Sequence, residues 1–131
     1  VIPISYHKVK LYVLCGYDWD GTWLPDFWAA DIWDVFERIK ILMQYGCLAY
    51  LMRYEAWLRA PETYKGMYIN LSRWCNQPAQ YVKKSLREFC TGQGENSSSF
   101  RYLAAFEALH PEMAHYLDMK YEEVQYGKIY G

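Results

Sequence analysis

Residues 69–90 read Ile69-Asn70-Leu71-Ser72-Arg73-Trp74-Cys75-Asn76-Gln77-Pro78-Ala79-Gln80-Tyr81-Val82-Lys83-Lys84-Ser85-Leu86-Arg87-Glu88-Phe89-Cys90. Leu71, Trp74 and Cys75 are the apolar positions of a short first helix. Asn76-Gln77 is a turn, and Pro78 suits the first position of a second helix because its missing N–H costs nothing there. Val82, Leu86 and Phe89 stand at i, i+4 and i+7, so they share one face of a helix expected to run to about Cys90. Gln80, Lys83, Lys84 and Arg87 fall on the opposite face. The pattern predicts a helix-turn-helix, held by the core on one side and presenting long hydrogen-bond donors on the other.

Outward from this segment, the apolar period sets the remaining elements. Val9, Leu11, Val13 and Cys15 alternate with polar or aromatic positions and predict a half-buried strand. Asp20-Gly21 is a turn signal. Pro25-Asp26 opens a helix with Ile32, Val35, Phe36, Ile39, Leu42 and Met43 at helical spacing, closing at Tyr45-Gly46. A second helix is expected from Leu48 through Leu51, Tyr54, Trp57 and Leu58 to Pro61. Met67 to Ile69 reads as a short strand. Thr91 to Ser98 is a polar loop, and Ser99 is the expected cap of a helix carrying Phe100, Leu103, Phe106 and Leu109. Pro111 restarts a helix to about Val124, and the tail 126–131 has no period.

The chain has 131 residues, 53% of them hydrophobic and 22% charged, enough to bury the core of one domain. No apolar run reaches the ~18 residues of a membrane span, and Val1 to Lys10 lack an apolar signal-peptide core. A non-membrane, cytoplasmic protein is expected. The four cysteines, Cys15, Cys47, Cys75 and Cys90, form no C-x-x-C and are read as buried free thiols. The formal net charge is −1, which argues against a chain that coats nucleic acid all over. The charges are uneven, however. Residues 65–90 carry Lys65, Arg73, Lys83, Lys84 and Arg87 against Glu88 alone, whereas the flanking stretches are net acidic. A local basic face can hold phosphates, because that attraction depends on local contacts. Gln pairs bidentately with adenine and Arg with guanine in the major groove, and Asn76, Gln77 and Gln80 lie where a recognition helix first meets bases.

Residues 23–90 resemble the N-terminal winged-helix domain of phage and prophage replication initiator, or replisome-organiser, proteins. The resemblance rests on Trp23-Leu24-Pro25, on Ile39-Lys40-Ile41-Leu42-Met43-Gln44-Tyr45-Gly46, on Ala49-Tyr50 and on the helix-turn-helix that follows. It covers about half the chain. It implies non-catalytic DNA binding at an origin or operator of a mobile element. The loop Thr91 to Ser98 is the only candidate for the wing.

Other segments suggest other chemistry. Asp18-Trp19-Asp20-Gly21-Thr22 after a strand resembles the first motif of haloacid-dehalogenase-like phosphatases. There Asp18 would attack phosphorus and Asp20 would act as general acid and base beside Mg²⁺. Ser72 and Lys83 or Lys84 are the candidates for the later motifs. The plain alternative is a hairpin turn at Asp20-Gly21. His110 and His115 are five apart and do not share a helical face as i, i+4 metal ligands do. They and His7 are read as surface or cap residues. The aromatics number 6 Trp, 14 Tyr and 5 Phe, with Trp19, Trp23, Phe27, Trp28 and Trp33 close together. Such a cluster lines a core, stacks single-stranded bases, grips a sugar or forms a partner interface.

These readings combine into a mainly α single domain with a small β component, of helix-turn-helix or winged-helix-like type. Residues 1–22 are a strand or hairpin, 23–98 the winged-helix-like core and 99–131 C-terminal helices, of which the acidic helices 99–124 are expected to dimerise or recruit a partner. The leading expectation is DNA binding, in replication initiation or transcriptional control, through Arg73, Asn76, Gln77, Gln80, Lys83, Lys84 and Arg87. Duplex DNA and a homo-oligomer or protein partner are the expected partners, with no metal and no cofactor. The alternative is a small viral or phage protein-binding or structural module using Trp19, Trp23 and Trp28.

Overall fold

The computed structural model describes residues 9–125; His7 and the tail 126–131 lie outside them. The chain is mainly helical with a small sheet. It begins with a strand, β1 (Lys10–Cys15), followed by an 18-residue helix, α1 (Phe27–Gln44), and a second strand, β2 (Leu48–Arg53). The two strands pair in parallel, Lys10 opposite Leu48 through Cys15 opposite Arg53. A parallel pair needs a crossover connection, and α1 supplies it. Trp28, Ile32, Val35, Phe36, Ile39 and Met43 form its buried stripe. Its C-terminus closes as the sequence indicates: Gly46 adopts φ 69°, Cys47 N–H donates to Leu42 O at 2.8 Å and Gly46 N–H to Met43 O at 3.0 Å. This is the Schellman pattern that favours glycine.

β2 corrects the helix expected over 48–58. Leu48, Ala49 and Leu51 are buried while Tyr50 and Met52 are exposed, and a 3₁₀ segment follows at Glu55–Arg59. Cys47 to Met52 is a short continuous apolar run, and such a run fits either element. Pairing with β1 decides, and that partner is remote in sequence.

Helix α2 (Glu62–Cys75) is the hub, packing on β2, α1 and the later helices. It absorbs both the strand expected over 67–69 and the short helix expected over 71–75. Gly66 lets the Tyr102 ring lie on the α2 backbone, since a Cβ there would meet Tyr102 Cγ at 2.1 Å. After the Asn76-Gln77 turn, α3 (Pro78–Lys83) starts at its proline as expected.

The single helix expected over 78–90 is two. Lys84 is extended at φ −129° and ψ 148°, and its carbonyl accepts from the Trp74 indole at 2.9 Å. Ser85 then caps α4 (Leu86–Thr91) with a capping box: Ser85 Oγ accepts from Glu88 N–H at 3.1 Å, and Glu88 Oε1 from Ser85 N–H at 3.0 Å. The break changes the anchor of α3 from Val82, which is half-buried, to Tyr81, which is fully buried.

Helix α5 (Ser98–Leu109) is capped by Ser97, not Ser99, whose side chain is buried. The helix expected from Pro111 to Val124 is a 3₁₀ turn (Pro111–Met113) and one turn of helix, α6 (Ala114–Leu117). The core is aromatic: Trp74, Tyr68, Tyr81, Tyr116, Phe36 and Phe106 are its largest fully buried side chains. The four cysteines are free and buried. Among the described residues no helix is long and apolar enough to cross a membrane.

Candidate nucleic-acid interface

The last turn of α2, the Asn76-Gln77 turn and α3 with the following Lys84 carry six of the seven expected contact residues; Arg87 stands on α4. Tyr81 anchors α3: its ring packs 5.3 Å from Trp74, and its hydroxyl donates to Cys47 O at 3.3 Å. That leaves Gln77, Lys83 and Lys84 exposed and Gln80 half-buried. Neither lysine is in an ion pair with a described residue. Gln77 Nε2 donates to Arg73 O at 2.7 Å, which fixes the turn. Arg73 is exposed, donates to Ser99 Oγ at 3.2 Å and lies over the Phe89 ring. No carboxylate occurs between Thr63 and Arg87, so this surface is locally basic.

Two expected contact residues are occupied elsewhere. Asn76 closes the open side of β2: its Oδ1 accepts from Leu51 N–H at 2.8 Å, and its Nδ2 donates to Leu51 O at 3.3 Å. Arg87, on α4, holds Glu107 bidentately at 2.7 and 2.9 Å and Asp118 at 2.7 Å. Its guanidinium ties α4 to α5 and to the segment after α6. Both side chains serve the fold.

The tryptophans divide. Trp19 is 82% exposed, Trp23 is half-buried and Trp28 is 3% exposed. Trp28 packs against Phe27 and Tyr68, so it is a core residue and cannot serve as a partner contact. Trp23 is held in an unusual conformation, φ 44°, by the loop that precedes it. The Asp18 carboxylate accepts from Trp23 N–H at 2.9 Å, from Asp20 N–H at 3.1 Å and from Thr22 Oγ1 at 3.2 Å. The Trp23 N–H foremost holds the Asp18 carboxyl below the usual carboxylate range. Asp18 therefore organises the 18–23 turn. Ser72 is buried within α2.

Trp23 belongs to a group whose other members, Tyr17, Arg53, Tyr54, Trp57 and Arg59, the sequence does not single out as a site. Where β1 and β2 end, the Arg59 guanidinium lies 5.0 Å from the Trp23 ring, and Trp23 stacks parallel to Tyr54 with centroids 6.2 Å apart. Tyr17 meets Tyr54 edge-on, and the Arg53 guanidinium lies 4.2 Å from Trp57. Neither arginine pairs with a carboxylate among the described residues. Trp23, Tyr54, Glu55, Ala56, Leu58 and Arg59 line a cavity of about 300 Å³ here. The available signal was the interleaving of Arg53, Tyr54, Trp57 and Arg59, which becomes a cluster only once β2 is a strand.

The two described histidines, His110 and His115, serve as cap or packing groups. His110 ends α5 and joins the Tyr64 hydroxyl (2.6 Å) to Glu112 (3.0 Å). His115 packs on Tyr116 and Trp33. Among the described residues no three His, Cys, Asp or Glu side chains gather where they could hold a metal ion. Comparison with protein-family models, with curated proteins and with solved structures found no match.

Proposed function

We propose that this protein binds duplex DNA without catalysis, through α2, the Asn76-Gln77 turn and α3. The observation that carries the reading is the exposed set Arg73, Gln77, Lys83 and Lys84, with Gln80 beside them, in a stretch free of carboxylates and backed by buried Tyr81. Lysines on such a surface take phosphates, and the glutamines reach base edges. Helix α3 has six residues and spans about 9 Å, so base reading is confined to its first turn. The resemblance to replisome organisers adds an origin or operator of a mobile element as the target.

The test is a titration of labelled duplex DNA across a salt series. Binding is expected to weaken linearly in log salt. Lys83→Ala/Lys84→Ala should bind less tightly, with a slope shallower by about 0.9 per lost phosphate contact. Arg87→Ala is the control and should leave the slope unchanged, because Glu107 and Asp118 already neutralise that side chain. Failure of the parent protein to bind at low salt overturns the reading.

A second reading is single-stranded nucleic acid, and the Arg59, Trp23 and Tyr54 stack with Arg53 on Trp57 supports it. Aromatic planes take bases of any sequence, at about 1–3 kcal/mol per stacked base, and unpaired guanidiniums take phosphates. In the same titration a single-stranded oligonucleotide should then bind more tightly than the duplex and lose affinity with Trp23→Ala, while Lys83→Ala/Lys84→Ala has little effect.

A further inference from the structure

We propose that two copies of this chain join through β1, edge to edge and antiparallel about a two-fold axis at Tyr12, to make one continuous four-stranded sheet. Among the described residues the sheet of a single copy has two strands, in parallel. Parallel sheets are normally larger and covered on both faces. Here the strand edge and the surface beside it are open and apolar: Tyr12 is 70% exposed, Ile41 50%, Leu11 47%, Met52 45% and Leu14 42%.

The backbone register identifies the open edge. Leu48 N–H donates to Val9 O and Tyr54 N–H to Cys15 O, so the odd-numbered residues of β1 face β2. By the alternation of a ladder, Lys10, Tyr12 and Leu14 direct their N–H and C=O groups to the other side. Leu14 O meets the Arg38 guanidinium there, at 2.8 Å, and keeps a second lone pair. No described strand lies on that side. An exposed edge of this kind is a template for another strand.

A second copy fits this edge. A two-fold axis at Tyr12 sets Tyr12 against Tyr12 of the other copy, and Lys10 against its Leu14. Each of these pairs can exchange both backbone hydrogen bonds. The two Lys10 side chains are then at opposite ends of the ladder and do not repel. The Leu11 side chain, on the α1 side with Val13, enters the groove of about 330 Å³ that Leu11, Val13, Arg38, Ile41 and Leu42 line in the other copy. Asn76 occupies the far edge by hydrogen-bonding Leu51. With one edge capped and one open, pairing stops at two copies and does not continue into a fibre.

Sedimentation velocity over a concentration series tests the pairing on the full chain. The parent protein should move from one copy to two as concentration rises. Tyr12→Pro removes an N–H that faces away from β2, so it spares the β1–β2 ladder, as proline does on edge strands. It should remain a single copy with unchanged circular dichroism. Ile41→Glu, outside the strand, should weaken the pair at least tenfold and guards against misfolding of the proline variant. Tyr12→Cys adds a positive readout: paired residues lie about 5.5 Å apart, within disulfide reach, so mild oxidation should yield a covalent dimer. A parent protein that stays a single copy at all concentrations overturns the proposal. So does a dimer that survives both Tyr12→Pro and Ile41→Glu and gives no Tyr12→Cys cross-link.

Discussion

Asp31 joins three elements through one oxygen. Its Oδ2 accepts from Gly16 N–H at 2.8 Å, at the end of β1, and from the Tyr68 hydroxyl of α2 at 2.6 Å, while Asp31 itself belongs to α1. Burial raises its carboxyl above the usual range, and the Tyr68 and Gly16 hydrogen bonds only partly oppose this. An acid whose folded value is raised binds its proton more tightly in the folded chain. Its contribution to stability is therefore present below its unfolded value, near 3.8, and is lost as pH rises through the folded value. Asp31→Asn keeps an acceptor for both donors and removes the titration. In urea denaturation series from pH 4 to 7, the variant should gain on the parent as pH rises through that window; a difference independent of pH would show that Asp31 is not the group responsible. Asn76 gives a second prediction at this scale. Asn76→Ala leaves the N–H and C=O of Leu51 without partners on a half-buried edge, and should cost about 1–3 kcal/mol in the same assay. It also uncaps β2, so aggregation under native conditions should increase.

The break at Lys84-Ser85 decides what the elements can do. With a continuous helix over 78–90, Arg87 would share a face with Lys83 and Lys84. With the break, α3 and α4 are separate six-residue helices, and Arg87 turns to Glu107 and Asp118. The Ser-x-x-Glu signature of a capping box was present in the sequence at Ser85 and Glu88, but the spacing of Val82, Leu86 and Phe89 obscured it. The limits of α1 were readable because a long stripe and Gly46 agree. β2 was not, because only β1, beyond the whole of α1, distinguishes strand from helix there. The same limit applies to the interface. The exposure of Lys83 and Lys84 follows from local pattern, whereas the partners of Asn76 and Arg87 lie 20 to 31 residues away. Ser85→Ala removes the cap acceptor and should destabilise by about 1 kcal/mol. Thermal and urea unfolding should report that loss, and the folded variant should retain duplex binding, because the proposed contacts lie before Ser85 on α2, the turn and α3.

At the scale of the whole molecule, the four cysteines are probes already built into the core. Cys15 ends β1, Cys75 ends α2, Cys90 lies in α4 and Cys47 precedes β2. All are free and buried. Burial pushes the Cys15 and Cys90 thiols up to about 12, and raises Cys75 as well. Only the thiolate attacks a disulfide reagent, so these thiols should be inert until the structure opens. Cys47, at 9% the most accessible, should label first; Cys15 at 1%, Cys75 at 1% and Cys90 at 0% should follow only through larger openings. With a thiol-reactive disulfide at pH 8, the native protein should therefore show at most one early equivalent, and all four should appear at once in denaturant. Mass spectrometry of the labelled peptides assigns the order. Cys75 lies at the junction of α2 with the Asn76 turn, so its labelling should track global unfolding in urea. Early labelling of Cys75 would mean that α2 detaches from the sheet before the rest unfolds, and that the edge cap supplied by Asn76 is lost in the native ensemble.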